Sequence, residues 1–296
     1  MNNLCFHIGY HKTGSTTLQL HGFSLNKNLH LLSNSSPDFE RAWHREVVET
    51  GDFQYDEIRA KSLLDTAVQA RPGKKAYMIS DESMSGHGFT GFNALRNAER
   101  LHGIEPNAKI FILIRNQISF LRSVYASYVF EGGSQTFSFW LSDHKYPITS
   151  IFDKLQYDLL INHYMELFGK ENVLTLPYEL FRSEGLSGIL KRLYSFMSVT
   201  CPSEELESKK TDIRFRVALS NNTLLLFRLL NGLRGGCSLN QRRLMNLVNS
   251  FFLSRLPQAN IFKGLDVAKT DNVFRESNRR TRELIGFDLS QFGYPL

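Results

Sequence analysis

Cysteine is scarce: the 296 residues hold three, Cys5, Cys201 and Cys237, odd in number, far apart and without metal-ligand spacing. This argues against a disulfide framework and a zinc site, and a reducing, cytoplasmic setting fits best. Long apolar runs are missing as well. No stretch reaches the ~18 apolar residues that a membrane span needs, and the leucine-rich segment from Leu224 to Leu233 is interrupted by Arg228. No span is therefore expected, and peripheral membrane contact is left open. The first apolar run, Leu4 to Ile8, is too short for a signal peptide and leads directly into a glycine loop. Internal repeats and low-complexity tracts are absent, which sets solenoids aside. With 42% hydrophobic and 22% charged residues, order is expected nearly throughout.

What is present is a modest excess of base. Lys and Arg total 35 against 29 Asp and Glu, a net charge of +6, which favours an anionic ligand without choosing among nucleotide, nucleic acid, acidic glycan and membrane surface. Four short apolar runs read as buried strands: LCFHIG from Leu4, AYMIS from Ala76, KIFILI from Lys109 and NVLTLP from Asn172. Helical segments follow Thr16, Ile118 and Ser183, and another runs from Asp153 to Phe168 and closes at Gly169. Strands separated by helices require crossover connections, so the expected class is α/β with a mainly parallel sheet between two helical layers. Residues 37–72 read as a helical insertion packed on the sheet. Residues 204–262 read as a helical cap, with Leu224, Phe227 and Leu230 as its packing stripe. Phe137, Phe139, Trp140 and Tyr146 follow Gly132-Gly133 and read as core before they read as an acceptor platform.

Two segments carry chemistry. Gly9-Tyr10-His11-Lys12-Thr13-Gly14-Ser15-Thr16-Thr17 lies between the first strand and a helix, where backbone amides and the helix dipole favour an anion. Lys12 offers a point charge there, and the hydroxyls of Thr13, Ser15, Thr16 and Thr17 offer donors. An ATP-binding loop would read G-x-x-x-x-G-K-[ST]; Gly9 and Gly14 keep that spacing, but the lysine falls at 12 and Ser15 takes its place. After KIFILI come Arg115-Asn116 and a helix bearing Ser123. An arginine at a parallel strand's carboxyl end and a serine two turns into the next helix can grip a phosphate from two directions.

Together these segments resemble a known family. HKTGSTTLQ is similar to the 5'-phosphosulfate loop of the sulfotransferases that use 3'-phosphoadenosine 5'-phosphosulfate (PAPS), and RNQISFLRSVYASY is similar to their 3'-phosphate motif. YDLLINHYMELFG with ENVLTLPYELFRSEG resembles the family's later helix and strand with its tyrosine, here Tyr178. FRESNRRTRELIGFDLSQFGYPL resembles the tails of bacterial members. The resemblance implies a single domain over 1–296, a P-loop-like three-layer α/β sandwich with a helical C-terminal cap. It implies a donor site of His11, Lys12, Thr13, Gly14, Ser15, Thr16, Thr17, Arg115, Ser123 and Tyr178. The cosubstrate would be PAPS, its product PAP, and no metal is required. Gln117 and His11 depart from the prolines that the family often has there, and Lys263-Gly264 is a faint echo of its C-terminal glycine signature.

Sulfuryl transfer needs an in-line nucleophile and a stabilised leaving oxygen, which makes Lys12 the first catalytic assignment. A hydroxyl acceptor also needs a base. Ile79-Ser80-Asp81-Glu82-Ser83 ends the second predicted strand beside the loop, so Glu82 is the candidate, ahead of Asp81, His11 and His87. The acceptor is expected to be a small molecule or glycan with a hydroxyl or amine, and not nucleic acid. Its identity and the oligomeric state are not legible. Two other readings stay open. AYMISDE also resembles the strand and acidic pair that hold magnesium in ATPases, so a kinase or ATPase using ATP-Mg is one. A non-catalytic polyanion-binding protein is the other.

Overall fold

The structure is a computed structural model that describes residues 3–33, 36–143, 150–202, 220–234, 257, 259–262 and 267–296. Five strands, β1 (Leu4–His7), β2 (Leu29–Leu31), β3 (Ala76–Ser80), β4 (Lys109–Ile114) and β5 (Val173–Pro177), form one sheet in the order β2-β3-β1-β4-β5. Every pairing is parallel, with Phe6 opposite Ile79 on one side and Ile110 on the other. The two chemical segments thus follow adjacent strands, β1 and β4, and leave the sheet at the same edge. The four predicted strands are present. β2 was not predicted, because three residues of Leu-His-Leu carry no readable pattern.

Strand residues alternate between two cores because their side chains point to opposite faces. Leu4, Phe6, Ile8, Ile110, Ile112 and Ile114 belong to one, and Cys5, Phe111, Leu113 and Leu176 to the other. The second face is covered by α1 (Ser15–His21), α9 (Leu180–Ser183) and α10 (Gly185–Phe196). The first carries α2 (Pro37–His44), α3 (Glu57–Gln69), α4 (Ala94–Ile104), α5 (Gln117–Phe130), α6 (Phe137–Asp143), α7 (Ile151–Lys154), α8 (Tyr157–Phe168), α11 (Asn221–Arg234) and α12 (Val267–Ile285). Among the described residues no helix is long and apolar enough to cross a membrane.

Within residues 37–72, α2 and α3 pack on the first face of the sheet. α2 starts where the Ser36 hydroxyl accepts from the Asp38 and Phe39 amides, with Pro37 in the first turn. Trp43 then stacks on Phe6 of β1, ring centres 5.9 Å apart. A π-helical turn, Arg45–Glu49, continues α2; Val47 and Val48 are buried there with Trp43, and His44 pairs with Asp81 just past β3.

The single helix predicted over 153–168 is two helices. A capping box between Ser150 and Asp153 starts α7, the chain breaks at Leu155-Gln156 before α8, and Lys154 and Tyr157 on either side of the break are both buried. The predicted cap falls mostly outside the described residues. Within it α11 buries Leu224 and Phe227 against the core, half-buries Leu230, and exposes Leu226, Leu229 and Leu233. Phe137 and Trp140 are core, Phe139 is exposed, and Tyr146 lies outside the described residues.

Candidate active site

The loop after β1 turns on two residues in the left-handed region, Lys12 (φ 64°) and Gly14 (φ 90°). Gly14 opens α1, and no side chain caps it. A Cβ at Gly14 would stand 2.8 Å from the Phe181 ring and 3.2 Å from that of Tyr178, so the glycine is required for the close approach as well as the backbone. Lys12 and Thr16 are exposed, Thr17 is half-buried, and Ser15 is buried. Thr13 is also buried, and its hydroxyl donates to the Tyr10 carbonyl. Its side chain is therefore committed to the loop, unlike the free donor expected from the sequence. The ring of His11 is largely enclosed, with Nδ1 lacking a hydrogen-bond partner. Burial pushes its pKa down to about 3, with Lys154 and Lys12 adding to the effect and Asp81 opposing it. So weak a base is a poor candidate for proton abstraction.

Below the loop, His7 is fully buried and burial lowers its pKa to about 3. Its Nδ1 pairs with the Ser80 hydroxyl at 2.7 Å, to which Gln19 of α1 also donates at 2.9 Å. This neutral network ties the ends of β1 and β3 and the first helix into one floor.

Arg115 joins the loop after β1 to the end of β4. Its Nη1 donates to the Lys12 carbonyl at 2.8 Å, and its guanidinium lies 4.6 Å from the centre of the Tyr178 ring. Its own carbonyl accepts from the Tyr157 hydroxyl at 2.6 Å, and its Nε is buried without a partner. Tyr178 thus lies close to both Arg115 and Gly14. Asn116 caps α5 by accepting from the Ser119 amide at 3.0 Å, and Ser123 is half-buried two turns along that helix. Gln117 occupies the place where proline is common. Its Nε2 donates to Asn278 of α12 at 2.6 Å in a buried contact, which accounts for an amide there.

Sequence reasoning missed Glu179. Its Oε1 accepts from the Asn116 amide at 3.0 Å and its Oε2 from the Tyr294 hydroxyl at 3.1 Å. Burial pushes its carboxyl above the usual range, against these bonds and the nearby Arg115.

The candidate bases separate clearly. Asp81 caps the turn after β3: its Oδ1 accepts from the Ser83 amide at 2.8 Å and its Oδ2 pairs with His44 Nδ1 at 2.7 Å. Burial raises its pKa, but the bonds from His44 and Ser83 outweigh this and hold it below the usual carboxylate range. Both oxygens are thereby occupied, which leaves Asp81 poorly suited to hold a magnesium ion. Glu82 behaves in the opposite way: burial raises its pKa, opposed by the Ser15 hydroxyl beside it and then by the Lys12 charge. That hydroxyl makes no hydrogen bond of ordinary geometry. Glu82 therefore faces the loop after β1, whereas Asp81 faces the segment 37–72. His87 is exposed in the segment 86–93, its Nδ1 3.2 Å from the Thr90 hydroxyl. A second residue absent from the sequence-based set is Lys154 of α7, 6% exposed, whose charge bears on both Glu82 and His11.

No family model matches the chain, and no curated protein matches it in sequence. Among solved structures, its fold is similar to that of a sulfotransferase from Alicyclobacillus acidocaldarius, with a TM-score of 0.60 at 16% identity over 99% of this chain and 98% of that one. The sulfotransferase domain from the curacin biosynthetic pathway gives 0.43 at 14% identity over 72% and 79%. Mouse sulfotransferase SULT7A1 complexed with PAP gives 0.40 at 11% over 95% and 89%.

Proposed function

We propose that this chain, which has the P-loop-like α/β fold of the sulfotransferases, moves a sulfuryl group from PAPS to a hydroxyl or amine acceptor, a saccharide among the candidates. One observation carries the reading: Arg115 at the end of β4 donates to the Lys12 carbonyl of the loop after β1. This contact brings the two cationic segments together. A nucleotide with anionic groups at both its 5' and 3' positions has the matching charge pattern. Lys12, Gly14, Ser15, Thr16 and Thr17 would hold the 5'-phosphosulfate, while His11 and Thr13 shape the loop. Arg115 and Ser123 would hold the 3'-phosphate, with Tyr178 supporting the guanidinium. The proposal includes a single domain over 1–296 and a cytoplasmic setting, for which scattered cysteines are the support; Cys5 and Cys201 are both free thiols.

In the transfer, the acceptor oxygen or nitrogen forms a bond to sulfur as the bond from sulfur to the bridging phosphate oxygen breaks. The electron pair stays on that oxygen as PAP leaves, and the Lys12 ammonium and loop amides stabilise the charge. The acceptor's proton passes to the Glu82 carboxylate, whose raised pKa makes it a better base than an exposed glutamate. The chemistry assigned to these residues calls for no metal.

Thermal unfolding with added nucleotide tests the reading. PAP without magnesium stabilises the protein, by about 2.7 kcal/mol at a hundred times its Kd, and Lys12→Ala loses both that stabilisation and turnover. Stabilisation by ATP-Mg and not by PAP would replace this reading with a kinase or ATPase. PAP binding with no sulfuryl group transferred from PAPS to any acceptor or to water would leave a polyanion-binding protein.

A further inference from the structure

Lys154 ends α7 and is buried, yet its partners are carbonyls and a ring. Nζ donates to the His87 carbonyl at 2.9 Å and the Gly86 carbonyl at 3.3 Å, and it stands 5.6 Å from the centre of the Tyr10 ring in the phosphate loop. A lysine serving only as a surface staple keeps its head in water. Here the head lies inside, and burial pushes its pKa down to about 7, with Glu82 opposing the shift. The groups that face it are Tyr10 and His11 from the phosphate loop, Glu82 from the turn after β3, and His87 from the segment it binds.

That segment, 86–91, is held from both sides. A Cβ at Gly91, where φ is +68°, would meet the Lys154 Cβ at 3.2 Å and Cγ at 3.3 Å, and one at Gly88 would lie 3.6 Å from the His11 ring. Phe89 packs edge-on against Trp140, ring centres 6.3 Å apart. The segment follows the Glu82 turn directly, with Gly86 as the residue that closes that turn.

We propose that Lys154 is a positioning residue for the transfer step, latching segment 86–91 to the phosphate loop and setting a buried positive charge beside Glu82. The acceptor then meets an ionised carboxylate next to a fixed segment. The catalytic consequence rests on the reading of Glu82 given above, whereas the latch rests on the carbonyl and ring contacts of Lys154, and its pH dependence on the lowering of that amine's pKa by burial. An ammonium donates charge-assisted hydrogen bonds about twice as strong as neutral ones and is drawn to the Tyr10 ring. A neutral amine keeps only the weaker bonds, so the latch loosens as pH rises through the titration of Lys154.

Native-state hydrogen exchange, read by mass spectrometry on peptides covering 86–91 and corrected for intrinsic rates, measures this directly. In the wild type, protection falls about tenfold between pH 6 and pH 8.5, the scale expected for weakening two charge-assisted bonds. Lys154→Arg, which keeps charge and donors but does not titrate in this range, retains high protection at both values. Lys154→Met is poorly protected at both. All three bind PAP alike, because Lys154 is not assigned to the donor. Wild-type protection that ignores pH, or Lys154→Met protected like the wild type, would overturn the latch; if Lys154→Met does not fold, the wild type and Lys154→Arg alone decide. Failure of PAP to bind any of the three would overturn the sulfuryl-transfer reading and leave the latch standing.

Discussion

Arg115→Ala separates the two tasks assigned to one guanidinium. The side chain donates to the Lys12 carbonyl, and it is assigned to the 3'-phosphate. A hydrogen bond to a charged group contributes about 1.5–3 kcal/mol. Losing the contact to Lys12 relaxes the loop and weakens any 5'-phosphorylated nucleotide by about tenfold, the equivalent of about 1.4 kcal/mol. Losing the 3'-phosphate contact adds about 3 kcal/mol for nucleotides that carry that group, roughly a further hundredfold. Calorimetric titration should therefore show PAP affinity falling about 10³-fold and AMP affinity about tenfold, so the preference for PAP over AMP shrinks about a hundredfold. Arg115→Lys keeps the charge but not the planar fork stacked on Tyr178 and should fall between. An equal loss for PAP and AMP would refute the 3'-phosphate assignment and leave Arg115 as a brace for the loop.

Glu82→Gln should leave PAP affinity unchanged and lower turnover by ~10²-fold or more, and it should abolish the rise of turnover with pH that comes from ionising a carboxyl of raised pKa; unchanged turnover would remove Glu82 as the base. His44→Ala tests the link between insertion and site. Asp81 is held below its usual range, so the stability that the pair provides is lost as pH falls through its folded-state pKa. His44 is raised, through Asp81 first and against burial, so that stability is also lost as pH rises through its own. The wild type should exceed the variant most between about pH 4 and 6.5, by about 1 kcal/mol because His44 is partly exposed; a thermal-melt difference that stays flat from pH 5 to pH 9 would refute the ion pair.

The long strands were legible because runs such as KIFILI are buried on both faces and read as continuous apolar sequence. β2 was not, since its two leucines gain meaning only beside Ala76 and Met78. The glycine turn after β1 and the placing of Arg115 at a strand end were legible from local pattern. Their mutual contact follows from β1 and β4 being neighbours, which only topology supplies. Asp81 and Glu82 are adjacent in sequence and look interchangeable there; His44, 37 residues earlier, is what sets them apart. Lys154 gave no signal, because its carbonyl partners lie 67 and 68 residues away and a helix-end lysine reads as solvated.

The bond from Asn116 to the Gly293 carbonyl, 2.7 Å long and 177 residues apart in sequence, has a meaning in time as well as in space. Tyr294 closes the same knot by donating to the Glu179 carboxylate that receives the Asn116 amide. During synthesis the chain emerges from its amino end at about 5–20 residues per second, so the sheet can assemble while the partners of Asn116 and Glu179 are still inside the ribosome. The strand end that carries Arg115 is therefore braced only after residues 293 and 294 are free.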